Sequence, residues 1–245
     1  MNNKFLLPAV VIIAILAFSS CKRNVLKGEG SKTSDSRSVG SFNSVQSDAD
    51  LQVNVTVTEG STPSVVLNGY ANVIKHLTAT VVGNKLVLKT DLDETWEIDA
   101  EGVTADITMP SITGITLNGS PDADIHGNVT GNSFDIQISG AASVTIDNLN
   151  VDNFSSHVSG AADIEVKGGS VKKASYAMSG TGEIDAFPLQ TIETTASISG
   201  AGSGEVTASQ KLNVSISGAG SIDYKGHPII SKEISGAGSV DDANQ

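Results

Sequence analysis

A four-residue phrase recurs seven times in the second half of this chain at nearly constant spacing. Each copy consists of an apolar residue, a serine or asparagine, a glycine and a small residue. The copies begin at Leu117, Ile138, Val158, Met178, Ile198, Ile216 and Ile234. From glycine to glycine the steps are 21, 20, 20, 20, 18 and 18 residues. A period in this range is typical of stacked solenoids, in which each repeat forms one coil and each side chain recurs as a column along the surface.

The apolar residues around this phrase predict short β-strands. When the serine is counted as position zero, the residue before it and those at positions five and seven are mostly apolar, and position six is polar. Alternation with a period of two indicates strands with one face inward, and no helical period is present after the N-terminal apolar segment. The recurring glycine indicates a corner with a positive φ or a close backbone approach. We therefore predict an all-β fold, a parallel β-helix with coils of about 18–21 residues.

Residues 116–245 hold the seven repeats, and residues 40–115 are less regular but equally rich in strand patterns. Leu51, Val53, Val55 and Val57 alternate with polar residues, for example. We expect this part to form irregular opening coils of the solenoid, with hairpin insertions that cap its end.

The first 20 residues have the plan of a secretory signal. Lys4 supplies the positive charge, residues 6–18 are almost entirely apolar, and Ser19 and Ser20 precede Cys21. We predict that residues 1–20 are a lipoprotein signal peptide and that Cys21, the only cysteine, carries the lipid. The alternative is an ordinary cleaved signal with an incidental thiol. Residues 21–39 are rich in Ser, Gly and Lys, which predicts a flexible tether, either lying near anionic lipid or without a role for its charge.

The charge of the remaining chain is strongly negative. Residues 41–245 contain nine lysines, no arginine and 25 acidic residues, so their net charge is 9 − 25 = −16. A surface of this charge repels nucleic acid and anionic lipid, so no nucleic-acid partner is expected.

Three segments resemble motifs of a known family. They are the opening Phe42-Asn43-Ser44-Val45, the segment Met109-Pro110-Ser111-Ile112 before the first repeat, and the repeat Ser159-Gly160-Ala161-Ala162-Asp163-Ile164. In order and spacing they resemble the auto-transporter adhesin, head GIN domain family, a group of unknown function common in lipoproteins of the Bacteroidetes. The resemblance extends from Val39 to the C-terminus and implies a β-helical fold and an adhesin-like role.

Position six of the repeats is the first candidate site. Six of its seven residues are acidic, and we call this set the acidic column: Asp124, Thr145, Glu165, Asp185, Glu205, Asp223 and Asp241. Carboxylates stacked at strand spacing repel one another unless cations relieve them, and oxygen ligands suit Ca²⁺. We predict weak Ca²⁺ binding through Glu165, Asp185 and Glu205, with Asp122, Asp163 and Glu183 nearby. The alternative is a solvated polar face.

The residues at position zero form a second candidate, which we call the serine column: Asn118, Ser139, Ser159, Ser179, Ser199, Ser217 and Ser235. Its hydroxyls could bind sugar, but hydroxyl ladders more often satisfy corner backbone groups, and the sequence favours that interpretation. The four histidines (His76, His126, His157 and His227) stand at unrelated positions, so neither a catalytic triad nor a zinc site is indicated.

The densest acidic run, residues 91–101, contains the only tryptophan, Trp96. An aromatic ring among carboxylates can stack on a ligand, and it can equally plug an insertion hairpin, which we favour.

Together these patterns predict a non-enzymatic lipoprotein of the cell envelope, outer-membrane bound, that acts as an adhesin-like binding or scaffold protein for a polysaccharide or another cell-surface ligand. A carbohydrate-active enzyme similar to glycoside hydrolases is the alternative, because two carboxylates roughly 5 to 9 Å apart suffice for hydrolysis.

Overall fold

The computed structural model describes residues 24–93 and 95–244. The chain enters through β1 (Asn24–Leu26) and β2 (Lys32–Arg37). It continues through β3 (Ser44–Ser47), β4 (Gln52–Val57), β5 (Ser64–Tyr70), the short helix α1 (Ala71–Ile74), β6 (Leu77–Val82), β7 (Lys85–Thr90), β8 (Trp96–Ile98) and β9 (Thr104–Met109). The repeats contain β10 (Gly114–Gly119), β11 (Asp122–Val166), β12 (Gly169–Ala186), β13 (Leu189–Thr207), β14 (Lys211–Gly218), β15 (Ser221–Lys225), β16 (Ile229–Gly236) and β17 (Ser239–Asp242).

The repeats stack as coils of a parallel solenoid, in which each strand pairs with the strand one repeat away. Val158 pairs with Met178, Met178 with Ile198, and Ile198 with Ile216. β11 continues for 45 residues and passes through the corners at Gly140 and Gly160. The predicted parallel β-helix is therefore confirmed, and its coil length follows the spacing of the glycines.

The N-terminal part mixes coils with antiparallel insertions. β3 and β4 pair in parallel with β10 and β11, so they belong to the stack. β5 pairs antiparallel with β9 and β2, and β6 and β7 form an antiparallel hairpin. The helix α1, although only one turn long, departs from the prediction that no helix follows the N-terminal apolar segment. These additions extend the sheet at the N-terminal end of the solenoid, away from the seven repeats.

The core is a stack of side chains from the inward columns. The residues before the serine in the first six repeats are at most 4% exposed. Larger rings fill one side of the core, where Phe154 lies 6.3 Å from Phe134 and 5.5 Å from Tyr176, measured between ring centroids. Because each inward position recurs in every coil, the core continues through the repeats as one cluster.

The corner glycines have the conformation that the repeat predicts. Gly160 has a φ of +134° and Gly180 a φ of +139°, a region that residues with a side chain rarely adopt. A Cβ atom added to Gly160 would overlap the carbonyl oxygen of Gly140 in the coil before it, and Gly180 meets Gly160 in the same way. Each corner therefore needs glycine for two reasons, its φ and the close approach of the neighbouring coil.

The predicted tether is the part of the fold that the structure changes most. Residues 24–26 pair with β8 and residues 32–37 pair with β5, so this segment contributes two strands. Backbone pairing requires no apolar side chain, and the edge of β5 was available for a polar strand. The side chain of Arg37 strengthens the contact by donating a hydrogen bond to the carbonyl oxygen of Ile74, at 3.0 Å. The predicted signal peptide and Cys21 lie outside the described residues.

Candidate functional site

Stacking places alternate strand positions on flat outer surfaces. The outward residues of the strands that end at the serine column form one such surface, which we call the serine face. Each coil contributes up to three polar residues, such as Thr195, Ser197 and Ser199 in β13 and Asn213, Ser215 and Ser217 in β14. Neighbouring coils are about 4.8 Å apart, so the hydroxyl and amide groups form a regular two-dimensional array.

The hydroxyls of the serine column point into solvent. Ser139, Ser159, Ser179 and Ser199 are all exposed. Within residues 24–93 and 95–244, their hydroxyls form no hydrogen bond to another protein group, whereas the side chain of Asn118 donates to Asp48 at 2.6 Å. The corner backbone groups instead pair from coil to coil. The column therefore does not hydrogen-bond to the corner backbone, contrary to the interpretation that the sequence favours. Its hydroxyls are free to bind water or a ligand.

A shallow groove follows this face across five coils. It has a volume of about 620 Å³ and runs along the solenoid axis between the serine column and the residues two positions before it. Its lining comprises Thr116, Asn118, Gln137, Ile138, Ser139, His157, Val158, Ser159, Ala177, Met178, Ser179, Ser197 and Ser199. Apart from His157, none of these side chains is ionisable. The groove thus suits an extended, uncharged ligand that is rich in hydroxyl groups.

A small polar cluster lies beside the groove, around Asp135. Gln137 donates to its Oδ1 at 2.8 Å, the hydroxyl of Ser155 donates to its Oδ2, and the Nδ1 of His157 lies 3.9 Å from Oδ2. The sequence missed this cluster because its members come from two adjacent coils, and the spacing of 22 residues between Asp135 and His157 differs from the repeat. His157 forms no hydrogen bond with any serine among the described residues, so a triad is not assembled here.

The acidic column forms a ladder on a different side of the coils. Glu165 pairs with Asp185, Asp185 with Glu205, and Glu205 with Asp223. Partial burial, followed by repulsion from the carboxylates of Asp185, Glu183 and Asp223, raises the pKa of Glu205. The column therefore has the mutual repulsion that the sequence predicts.

At the N-terminal end of the same side, amide side chains donate hydrogen bonds to the carboxylates. Asn54 donates to Asp106 at 2.7 Å, and Gln52 donates to Asp124 at 3.1 Å. Asp122 and Asp163 also have structural partners, since they accept the backbone N–H groups of Ser143 and Glu183 in the next coil at 2.8 and 3.0 Å.

The geometry of the ladder does not concentrate ligands at one point. Across residues 24–93 and 95–244, no three histidine, cysteine or acidic side chains are grouped so that they could hold a metal ion. The groove beside the ladder, with a volume of about 330 Å³, is lined by Ser143, Val144, Thr145, Asp163, Ile164, Glu165, Glu183 and Asp185. Weak Ca²⁺ binding through Glu165, Asp185 and Glu205 thus stays a prediction.

Two other histidines have ordinary ionic partners on the surface. His76 lies 2.9 Å from Asp91, and His126 lies 3.1 Å from Asp147. Partial burial raises the pKa of Asp147, but the hydrogen bond and charge of His126, together with Lys167, outweigh it, so the pKa is lowered. The first contact lies at the base of the β6–β7 hairpin and the second joins neighbouring coils, and neither belongs to a reactive centre.

Trp96 lies on β8 at the chain entry, where it pairs with Asn24. Its side chain is 41% exposed and lines a cavity of about 120 Å³ whose wall also includes Asp48 and Asp50. The expected hairpin plug is therefore wrong, because β8 pairs with β1 and the ring remains accessible.

Among the described residues, no helix is long and apolar enough to cross a membrane.

Comparisons with known proteins agree with this geometry. The family described as "Putative auto-transporter adhesin, head GIN domain" matches residues 41–228. No curated protein matches the chain. The crystal structure of a "putative adhesin" from Bacteroides fragilis NCTC 9343 is 23% identical and has a TM-score of 0.76, over 89% of this chain and 99% of that one.

Two further crystal structures are similar. A "putative adhesin" from Parabacteroides merdae ATCC 43184 is 18% identical, with a TM-score of 0.71 over 90% of this chain and 100% of that one. A "Putative lipid binding protein" from Parabacteroides distasonis ATCC 8503 is 23% identical, with a TM-score of 0.70 over the same shares of 90% and 100%. At these identities the likeness establishes the fold alone.

Proposed function

Because this chain belongs to the auto-transporter adhesin, head GIN domain family, we propose that it is a non-enzymatic binding protein of the cell envelope that holds a polysaccharide on its serine face. The observation that carries the proposal is the row of exposed hydroxyls of Ser139, Ser159, Ser179 and Ser199. They have no hydrogen-bond partner in the part of the chain that the structure describes, and they lie along a groove that crosses five coils. A polar group that has no internal partner is the kind that a ligand can bind without breaking the fold.

The chemistry of the face favours a neutral glycan over other extended ligands. Each hydroxyl both donates and accepts a hydrogen bond, which matches the hydroxyl groups of a sugar. Nucleic acid and acidic polymers are disfavoured by the net charge of −16 on residues 41–245. A hydrogen bond to an uncharged group contributes only about 1 kcal/mol, so useful affinity requires several coils to act together. The ligand should therefore be a polymer and not a single sugar.

A binding role is favoured over hydrolysis by the surroundings of the carboxylates. Two members of the acidic column lie at strand spacing, about 4.8 Å apart, which is close to the separation used by retaining glycosidases. Hydrolysis also needs a site that holds the sugar in a fixed orientation between the two carboxylates, and the groove beside the column is open.

Lipid anchoring through Cys21 completes the proposal. The described chain begins at Asn24, which is already paired with β8. Three residues span at most about 10 Å, so a lipid on Cys21 would hold the folded domain close to the membrane surface. The outer membrane is the proposed location, with the protein on either its periplasmic or its outer face.

An array of neutral and acidic glycans, probed with and without Ca²⁺, tests the proposal. We expect binding to neutral polymers that strengthens with chain length and does not release shortened products. Binding confined to single sugars, or accumulation of cleaved products, would contradict it. Dependence on Ca²⁺ would instead assign the ligand to the acidic column.

A further inference from the structure

Within residues 24–93 and 95–244, no further coil stacks on the coil that contains β16 and β17. β16 pairs with β14 on one side only, β17 pairs with β15 on one side only, and all eight residues of β16 are exposed. Ile229 is 81% exposed, Ile230 37% and Ile234 39%. An exposed edge of this length, with apolar residues beside it, is a template for pairing with another chain.

Two charged residues stand in the core columns of this coil. Lys232 pairs with Val214, in a column whose preceding members are Ile115, Ile136, Ser156, Tyr176, Ala196 and Val214. Asp242 pairs with Tyr224, in a column whose preceding members are Ile125, Ile146, Val166, Ala186, Val206 and Tyr224. No earlier repeat has a charge at either position. The register therefore brings an ammonium group and a carboxylate to the exposed end of the apolar core.

The carboxylate of Asp242 is fixed by its neighbours. Asn244 donates to it from the backbone at 2.9 Å and from the side chain at 2.6 Å. The same asparagine side chain accepts from the N–H of Gly226 at 2.8 Å and donates to its carbonyl oxygen at 2.7 Å. It thus supplies the two hydrogen bonds that the backbone of the last coil would otherwise give to Gly226, and so fixes residues 242–244 on the preceding coil.

β16 is the longer of the two strands at this end, and among the described residues its outer edge is unpaired. It still offers unpaired backbone groups and the inward residues Ile230 and Ile234. A second copy of this chain fits this edge, because two C-terminal ends related by a two-fold axis can join their β16 strands in antiparallel pairing and place core against core. The same approach would bury two copies of Lys232 and two of Asp242 at the joint, and burying charges without full pairing is unfavourable.

We infer that Lys232 and Asp242 guard the C-terminal edge and prevent it from pairing with a second copy of this chain. The inference is independent of the ligand of the serine face.

The test replaces both guard residues with the residue type of the columns they interrupt, as Lys232→Val with Asp242→Val. Sedimentation equilibrium on the full chain, made with Cys21→Ser so that no lipid contributes, should give a monomer for the parent and at least a doubled mass for the double variant at the same concentration. Adding Ile234→Lys to the double variant should restore the monomer, because it returns a charge to the same joint.

Lys172→Val with Asp152→Val is the matched control. This exposed pair lies 2.7 Å apart on the middle coils, so the control makes the same change in charge and composition away from the edge. It should remain monomeric. Far-UV circular dichroism verifies the fold, and Lys232→Val alone, which keeps Asp242 and its partners, provides a milder variant with weaker association. The inference is overturned if the folded double variant keeps the parent mass, if the control associates equally, or if the parent already pairs through β16.

Discussion

Replacing a corner glycine tests the physical basis of the solenoid. Gly160→Ala places a side chain at a φ of +134°, and its Cβ would overlap the carbonyl oxygen of Gly140. The unfavourable φ costs about 1–3 kcal/mol, and relieving the overlap by moving packed backbone costs about 1–3 kcal/mol more. We therefore expect a loss of about 4 kcal/mol, which lowers the melting temperature by roughly 8–16 °C in a domain of this size.

Substitutions at two other glycines separate the cost of the unfavourable φ from the cost of the overlap. Gly131 has a similar φ of +142°, but a Cβ added there has no atom within 4 Å, so Gly131→Ala should show only the conformational cost of about 2 kcal/mol. Gly168 lacks a positive φ, and its added Cβ would lie 3.8 Å from the nearest atom, so Gly168→Ala should change the melting temperature little. The assay is thermal unfolding followed by circular dichroism. Equal melting temperatures for the Gly160 and Gly131 variants would refute the close approach of the coils.

Three further predictions concern the anchor and the acidic column. Cys21→Ser should release the protein from membranes, and a variant that still sediments with the envelope would refute lipid anchoring at this residue. Replacing Glu165, Asp185 and Glu205 together by Gln, Asn and Gln should remove any stabilisation by millimolar Ca²⁺ in calorimetry. Without Ca²⁺ the triple replacement should raise the melting temperature in low salt, and the difference from the parent should disappear as salt is added. If Ca²⁺ does not change the melting temperature of the parent, the acidic column is only a solvated polar face. Glu205→Gln alone tests the raised pKa of this carboxyl. A raised folded-state pKa means that stability is lost as the pH rises, so the variant should match the parent in stability below pH 4.5 and be more stable than the parent above the raised pKa.

The solenoid could be predicted from the sequence because its determinants are local and repeated. The alternation around Ile198 sets which side chains face inward, and the glycine that follows each serine sets the corner. A period of about 20 residues then fixes which residues become neighbours in space, including the ladder of Glu165, Asp185 and Glu205.

Features outside the repeat could not be predicted from local, repeated patterns. β1 and β2 consist largely of exposed polar residues and are strands because the edges of β8 and β5 accept them. The serine hydroxyls are free because the next coil already forms the hydrogen bonds of the corner backbone, and composition does not reveal this. The cluster around Asp135 joins different positions of adjacent coils, so a search along single columns misses it.

The central claim, that the serine face binds an extended neutral glycan, is tested most directly by two variants with the same chemical change. Ser179→Arg places a long charged side chain in the groove, whereas Ser170→Arg places it at an exposed strand position of the same strand outside the groove. Isothermal titration calorimetry with the longest neutral glycan bound in the array should show at least a tenfold loss of affinity for Ser179→Arg and an unchanged affinity for Ser170→Arg. Equal affinities for the two variants would place the ligand elsewhere and contradict the account.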